Sequence, residues 1–570
     1  MRASLIALCT AIYTGSTFAA PADFAHKKYD YVIVGGGTAG FVVAEYLSRN
    51  PTVSVLLLEA GGDGTSSAEI NTPGFALSIP GQYFWNYTSE AEPGRGFKAF
   101  PRPQGHVLGG SSAVNYMQYC RASASQFDQW ANETGVRALA WKNIVRDFID
   151  TSTYDPTSNG APPGDRRFYG NGPVQVSEYK QSNAFDTPFQ TALREQFNLT
   201  EVDFSSGVGV GATFGDFAVR TSNSTRDYSL EAFGWQLARR SNVRIEHGAW
   251  ATRVVFDGAR ARGVEIVQNQ QRYNVSAKEI ILSAGAIGSP KLLMLSGVGP
   301  KKHLQSLGIS LVADHPFVGS HLYDHHGGSV VVQVPNNVAT DFQFQYNATF
   351  AAEAKTEYQQ EQDGYLSSSI AGTFAVARKP ASINHGNYSP NQQNQAGQLM
   401  FQTGTASFVP GTPNVSAVTL LAALTQSQSY GSVRLNSSDY RDYPVVNSNF
   451  FGSAQDKAAI IYAYKAIRNL TSSASMKSVV VKELFPGPSV PDDDESIYKV
   501  IQSSPIAYYH PMGTTGLGRV LDQHFRVKGL QGIRVVDAGA FPAGTSCHPH
   551  ATVYGFARAA ARVIERQDCS

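Results

Sequence analysis

The residues able to do chemistry lie in a few short, widely separated stretches. Gly35-x-Gly37-x-x-Gly40 stands between a β-branched run, Tyr29 to Val34, and a helical pattern from Phe41 to Ser48. A second apolar run, Val53 to Leu58, ends at Glu59, 19 residues beyond Gly40. Glycines at this spacing permit a tight turn, close approach of backbone to a pyrophosphate and helix–sheet packing, while the helix N-terminus favours the phosphates' charge. Glu59 is placed to accept a hydrogen bond from a ribose hydroxyl. Far downstream the chemistry changes to imidazoles: His510, His548 and His550, and the run His321-Leu-Tyr-Asp-His-His326. That last run has the composition of a metal site. A histidine titrating near neutrality can take a hydroxyl proton while hydride leaves the adjacent carbon. A second imidazole can hydrogen-bond the developing alkoxide.

These stretches need elements to hold them. The β-strand, Gly-rich turn, helix and second strand over residues 29–59 form a βαβ unit. Further strand patterns occur at Glu279 to Ala284 and Ile533 to Val536, so one sheet is assembled from distant parts of the chain. Between them, the β-branched run Ser329 to Gln333 and the alternating run Asp341 to Tyr346 read as strands of a second, antiparallel sheet. Residues 385–398 read as a polar low-complexity loop, and no internal repeat is found. The expected fold is α/β: a doubly wound, Rossmann-like dinucleotide-binding domain with an inserted α+β domain built on an antiparallel sheet.

Composition narrows the class. The 570 residues would allow about four domain-sized units by length alone. With 42% hydrophobic and 11% aromatic residues the chain is no disordered protein. A net charge of +1 argues against nucleic-acid binding. One Arg, an apolar stretch and the small-residue close Thr17-Phe-Ala19 make residues 1–19 a signal peptide, and no run is long enough to span a membrane. Sequons at Asn86, Asn132, Asn198, Asn223, Asn274, Asn347, Asn387, Asn414, Asn436 and Asn469 fit a secreted glycoprotein. Cys120, Cys547 and Cys569 survive removal of the leader, so at most one disulfide forms among them; which pair is left open. A secreted enzyme has no pool of free NAD, which favours a prosthetic FAD.

Four motifs in this order resemble those of the glucose–methanol–choline (GMC) oxidoreductases: YDYVIVGGGTAG with LLLEAG; Gly105-His-Val-Leu-Gly-Gly-Ser-Ser-Ala-Val-Asn115; Gly285 to Gly299; and Tyr509-His-Pro-Met-Gly-Thr514 with Arg534 to Ala538 and Cys547 to Tyr554. The resemblance covers nearly the whole mature chain, and within the family it points to the aryl-alcohol oxidase-like branch. It implies an FAD domain on residues 28–310, which also carry some substrate-domain segments, and on 490–570, with a substrate domain at 311–480. It implies Thr38 and Ala39 at the pyrophosphate and Glu59 with Ala60 at the adenosine ribose. Val107, Ser111 and Asn115, Tyr116, Met117 and Gln118 would run along the flavin. Ala251 would meet the adenine, and Ala538, Pro549 and His550 would close over the ribityl chain and ring. His510 would be the base and His548 its partner. The family's Gly-x-x-Leu-x-Asp-His segment near the cavity falls on Gly319 to His325, which reads the histidine run as structural rather than metal-binding.

Departures carry information too. His106 stands where the family usually has Arg, Lys, Asn or Cys, either altering how the loop meets the phosphates or offering a flavin attachment point. Val114 stands where the choline-oxidase branch carries a flavin-linked His, implying non-covalent FAD there. If the chain after Thr545 is extended, His548 and His550 face the same side. No Arg precedes His510, unlike in sugar-oxidising relatives, and Tyr116 and Tyr509 fall where aryl-alcohol oxidases place gating aromatics. The expectation is a secreted FAD-dependent oxidase or dehydrogenase converting a primary aromatic or allylic alcohol to its aldehyde, in secondary metabolism or lignocellulose oxidation, with oxygen or a quinone as acceptor. Its partners are small molecules, with neither nucleic acid nor membrane among them. A sugar dehydrogenase, a hydroxynitrile lyase or cyclase of the same family, and a binding protein with a vestigial flavin site are the alternatives.

Overall fold

The computed structural model describes residues 24–156, 164–179, 183–383 and 396–568. The leader expected over 1–19, Cys569 and residues 385–395 of the expected polar loop lie outside them. Strand β1 (Lys28–Val34) enters the Gly-rich turn, helix α1 (Thr38–Leu47) leaves it, and β2 (Val55–Leu58) follows. All four residues of β2 are buried, so this continuous apolar run is a strand covered on both faces. Further on come β3 (Val243–Glu246), β4 (Trp250–Asp257), β5 (Arg260–Gln268), β6 (Gln271–Leu282) and helix α2 (Gly285–Leu295). They complete one sheet in the order β3-β2-β1-β6-β5-β4, with the strand Ile533–Val535 joining β6. β3, β2, β1, β6 and Ile533–Val535 run parallel, and β4 and β5 extend the sheet as an antiparallel hairpin. The C-terminal end of β6 thus sits between β1 and a strand some 250 residues later, pairing Leu282 with Val34 and Val535.

A second sheet is antiparallel throughout. Its strands β7 (His326–Gln333), β8 (Ala371–Ala377), β9 (Leu399–Gly404) and β10 (Ala417–Leu424) lie in the order β7-β10-β9-β8. Gly211–Thr213 adds to β8, while Lys482–Phe485 and Ile506–Ala507 add to β7, so this sheet draws on residues outside 311–480. Helix α3 (Ala454–Leu470) closes a separate core beneath it, where Ile460, Tyr464 and Ile467 meet Val330, Leu420 and Phe401. Helix α4 (Pro549–Asp568) belongs to the first core, together with α1.

Two expectations are corrected. Asp341–Tyr346 is a helix, not a strand. Gln345 donates to Asp341 and Phe342 meets Tyr346 at 4.9 Å, both contacts between positions i and i+4. Six alternating residues are too few to separate the two periods. The chain after His548 is not extended either: Pro549 opens α4, which Pro tolerates in its first turn. His550 therefore lies in that first turn and bonds the Tyr554 hydroxyl at 3.1 Å, one turn on. The open disulfide question is resolved as Cys120–Cys547.

Candidate active site

A cavity of about 920 Å³ runs from the Gly-rich turn to the histidines, at the upper end of the range for ligand sites. Its first end is made by backbone. Gly35 has φ +108°, and a Cβ there would lie 2.3 Å from the Ser283 carbonyl oxygen. A Cβ on Gly40 would lie 1.9 Å from the Gly35 oxygen, so α1 can sit this close to the turn only with glycine at 40. The buried Glu59 carboxylate accepts from the amides of Gly36 and Gly61 at 2.9 and 2.8 Å. Burial outweighs these bonds and pushes its pKa up to about 7. Asp537, raised to about 6 by burial, accepts from Ser289, Gly285 and Gly539 and so fixes Ala538 at the cavity wall.

Of the residues expected at a cofactor, Gly35, Gly37, Thr38, Ala39, Glu59 and Ala60 line this end. Ser111, Asn115, Tyr116, Met117, Gln118, Ala251, Ala538, Pro549 and His550 line the remainder. Two do not reach the lining. Gly40 serves helix packing, and the Val107 side chain is fully buried in the core beneath the loop. His106 packs against Trp85, ring centres 3.9 Å apart, instead of lining the cavity. Sequence reasoning missed the aromatic box at Ala251, where Trp85 and Tyr440 each meet Trp250 at 5.1 Å. It also missed Arg226, fully buried, whose guanidinium bonds the Asn115 carbonyl and side chain and the Ile70 carbonyl.

The other end is made by side chains from three distant segments. His510 and His548 face each other with ring centroids 5.0 Å apart at 82°. The run that looked like a metal site divides its residues among three tasks. His321 stacks on Tyr430 at 4.1 Å, and His326 stacks on Phe450 at 4.2 Å. Asp324 and His325 hold His510: the Asp324 carboxylate accepts the His510 amide at 2.7 Å, and His325 Nδ1 lies 3.0 Å from His510 Nδ1. Arg102 braces Asp324 from behind.

This contact sets a tautomer. His325 Nε2 lies 2.8 Å from the Thr545 carbonyl, which can only accept, so Nε2 carries the His325 proton. Burial, offset in part by the Thr545 and Thr425 carbonyls, holds the His325 pKa down at about 4. Neutral His325 therefore offers Nδ1 as acceptor, and the shared proton belongs to His510. His510 Nε2 is left as a lone pair on the cavity side. Burial, and then the neighbouring His325, His548 and His550, hold the His510 pKa well below its ordinary 6.5. His548 is lowered to about 3, chiefly by burial, and its Nε2 has no partner. The Tyr508 ring lies 5.8 Å from both histidine rings, with its hydroxyl buried and unpartnered. His325 and Tyr508 were missed as site residues; the Asp-His pair at 324–325 was the signal for the first. Cys547, one residue before His548, is tied to Cys120. Tyr116 and Tyr509 both line the cavity, close enough that their charges couple, and Tyr116 is pushed up to about 12 by burial.

The cavity fits a flavin dinucleotide: a glycine cradle at one end, and lining residues with buried, unpartnered polar atoms (His548 Nε2, Gln118 Nε2) at the other. Comparison with known proteins gives the same reading. Family models described as GMC oxidoreductase match residues 29–327 and 427–557. Pyranose dehydrogenase 3 of Leucoagaricus meleagris is 30% identical, covering 97% of this chain and 96% of that one. Patulin synthase of Aspergillus clavatus is 30% identical over 95% and 92% of the two chains. Among solved structures, a formate oxidase of Aspergillus oryzae superposes with a TM-score of 0.88 at 26% identity, over 95% and 99% of the two chains. A fungal aryl-alcohol oxidase reaches 0.83 at 25% identity, over 95% and 100%.

Proposed function

Since the chain belongs to the GMC oxidoreductases, FAD-dependent enzymes acting on CH–OH groups, we propose that it is a secreted alcohol oxidase or dehydrogenase oxidising a primary aromatic or allylic alcohol to its aldehyde. The observation that carries this reading is the His325–His510 contact, which leaves His510 Nε2 bare inside the cavity beside His548. In the proposed reaction His510 Nε2 takes the hydroxyl proton of the substrate. His548, neutral at working pH, orients the same oxygen through a ring N–H and meets the charge that develops on it. Bound FAD supplies the acceptor for the two electrons and the hydrogen that leave the α-carbon. Gly35, Gly37, Thr38, Ala39, Glu59, Ala60 and Ala251 would hold its adenosine diphosphate half. Ser111, Asn115, Tyr116, Met117, Gln118, Ala538, Pro549 and His550 would hold the flavin half. With Val114 on the lining, the flavin is held non-covalently there; retained flavin on the denatured protein would overturn that.

The choice of substrate rests on the wall near the histidines. Tyr116, Tyr509, Phe408, Ile370 and Leu421 offer flat or aliphatic surface, which suits an aryl or allylic group better than a polyol. Secretion is supported by the surface: all nine sequon asparagines among the described residues are exposed. The test is anaerobic mixing of purified holoenzyme with benzylic, allylic, aliphatic and sugar alcohols. Bleaching by the first two is the expected result, and mass spectrometry of the secreted protein should find glycans. Bleaching by sugars alone would move the assignment to a sugar dehydrogenase. No bleaching, with cyanide released from mandelonitrile, would move it to a lyase.

A further inference from the structure

Arg95 lines the same cavity, and nothing in the reaction above uses it. It closes the short turn Pro93–Arg95, is 7% exposed, and lies over the Phe100 ring, with its guanidinium carbon 3.3 Å from the ring centre. Its Nε and Nη1 are buried without a hydrogen-bond partner. The nearby carboxylates are committed elsewhere. Glu92 accepts from the amides of Ser448 and Phe450, and Asp324 accepts from Arg102 and from the His510 amide. Arg102, also over the Phe100 ring, differs in being bonded to Asp324 and Ser448 and in lying off the cavity. Glu92 lends Arg95 charge balance through space, yet leaves its N–H groups unanswered.

A buried guanidinium with open donors is costly unless something bonds it. Its planar fork matches a carboxylate, which can accept two parallel N–H bonds. Around it on the lining stand Phe100, Pro101, Pro103 and Tyr509, with Gln104, whose amide donates to the Tyr509 carbonyl, as the polar neighbour. Tyr509 lies within electrostatic reach of Arg95 and directly precedes His510. We propose that Arg95 receives a carboxylate carried by the substrate, so that the enzyme's preferred alcohols are hydroxy acids whose hydroxymethyl group reaches His510 while the acid end is held at Arg95. This rests on the alcohol-oxidising reading of the same site and narrows its substrate class.

The test uses holoenzyme and three related alcohols: 4-(hydroxymethyl)benzoate, its methyl ester and benzyl alcohol. Anaerobic flavin reduction by wild type should favour the acid over the ester by about tenfold or more in the second-order rate constant, the worth of one good charged pair. In Arg95→Met that ratio should fall close to one, with the loss in substrate affinity and not in the limiting rate, and Arg95→Lys should recover part of it. Equal rates for acid and ester in wild type, or an unchanged ratio in Arg95→Met, would overturn the proposal. A separate titration with benzoate, which has no alcohol to oxidise, reads the binding site alone through the flavin absorbance. Benzoate should bind wild type and bind Arg95→Met at least tenfold more weakly; no binding to wild type would overturn the carboxylate site whatever the alcohols do. If benzoate binds through Arg95 but no alcohol reduces the flavin, the alcohol-oxidising reading falls and the anion site stands. Should Arg95→Met fail to fold, wild type and Arg95→Lys carry the comparison.

Discussion

At the glycine end of the cavity the chain works with its backbone, and at the histidine end it works with side chains drawn from residues 324–325, 508–510 and 547–550. The first end has few ways to vary, because a single added carbon at Gly40 would stand 1.9 Å from the Gly35 oxygen. The second has many, because every group in it is held by another: Arg102 holds Asp324, Asp324 holds the His510 backbone, and His325 holds the His510 ring. A site of this kind separates tasks. Holding a dinucleotide depends on backbone fixed by close packing, whereas handling a proton depends on a chain of contacts that can be altered one link at a time.

The largest effect should come from breaking the rigid end. Gly40→Val leaves no room for α1 against the turn, and the protein that survives purification should be colourless, as read by the visible absorbance relative to protein. At the other end, His510→Ala should keep its yellow colour and lose roughly a thousandfold in anaerobic flavin reduction, within the span of general-base catalysis. Turnover within tenfold of wild type would remove His510 from that role. His325→Ala should be milder than His510→Ala, since the base itself remains. It carries a second signature that a merely structural change would not produce. Shortening His325 to Ala opens the packing around His510 and relieves the burial that chiefly lowers its pKa, so the acid limb of the reduction rate should move up in pH. A limb at higher pH in the variant than in wild type would tie the proton to this pair.

The smallest effect is spread over the whole histidine end and is read in stability. His548 and His550 are lowered to about 3 and His325 to about 4, so the folded chain keeps them neutral where the unfolded chain, near 6.5, takes up protons. The unfolded state therefore binds more protons between those values. Stability should be full above about pH 6.5 and fall as pH drops toward 3. Thermal midpoints of His548→Gln should fall less steeply with acid than those of wild type.

How much of this was legible follows the same division. The βαβ unit and its turn could be read directly, because the glycines, the flanking apolar runs and Glu59 lie within one short segment. The second sheet was legible in its buried run Ser329–Gln333, while the six-residue alternation at 341–346 was a helix, since contacts one turn apart leave no trace in a pattern that short. His510 and His548 were identified through their resemblance to family motifs; their separation of 5.0 Å is a tertiary fact. The His325–His510 contact joins residues 185 apart, and Arg95 sits in a short turn without any motif. Composition marked 321–326 as chemically rich, but only packing shows that its members face three different neighbours.

The disulfide has a consequence for how the molecule comes into being. Cys120 and Cys547 are separated by 427 residues, and the bond they form lies immediately before His548. The active site therefore cannot be sealed until almost the entire polypeptide has been synthesised and the last segment has come back to the first. The glycine turn lies near the start of the chain, while the bond beside His548 forms only when an oxidant takes the two electrons of its thiols. Enzyme produced in a reducing cytoplasm should be yellow but loosely closed at His548, and later oxidation should tighten it without any new synthesis. Colour and activity would then appear at different times in the life of one chain.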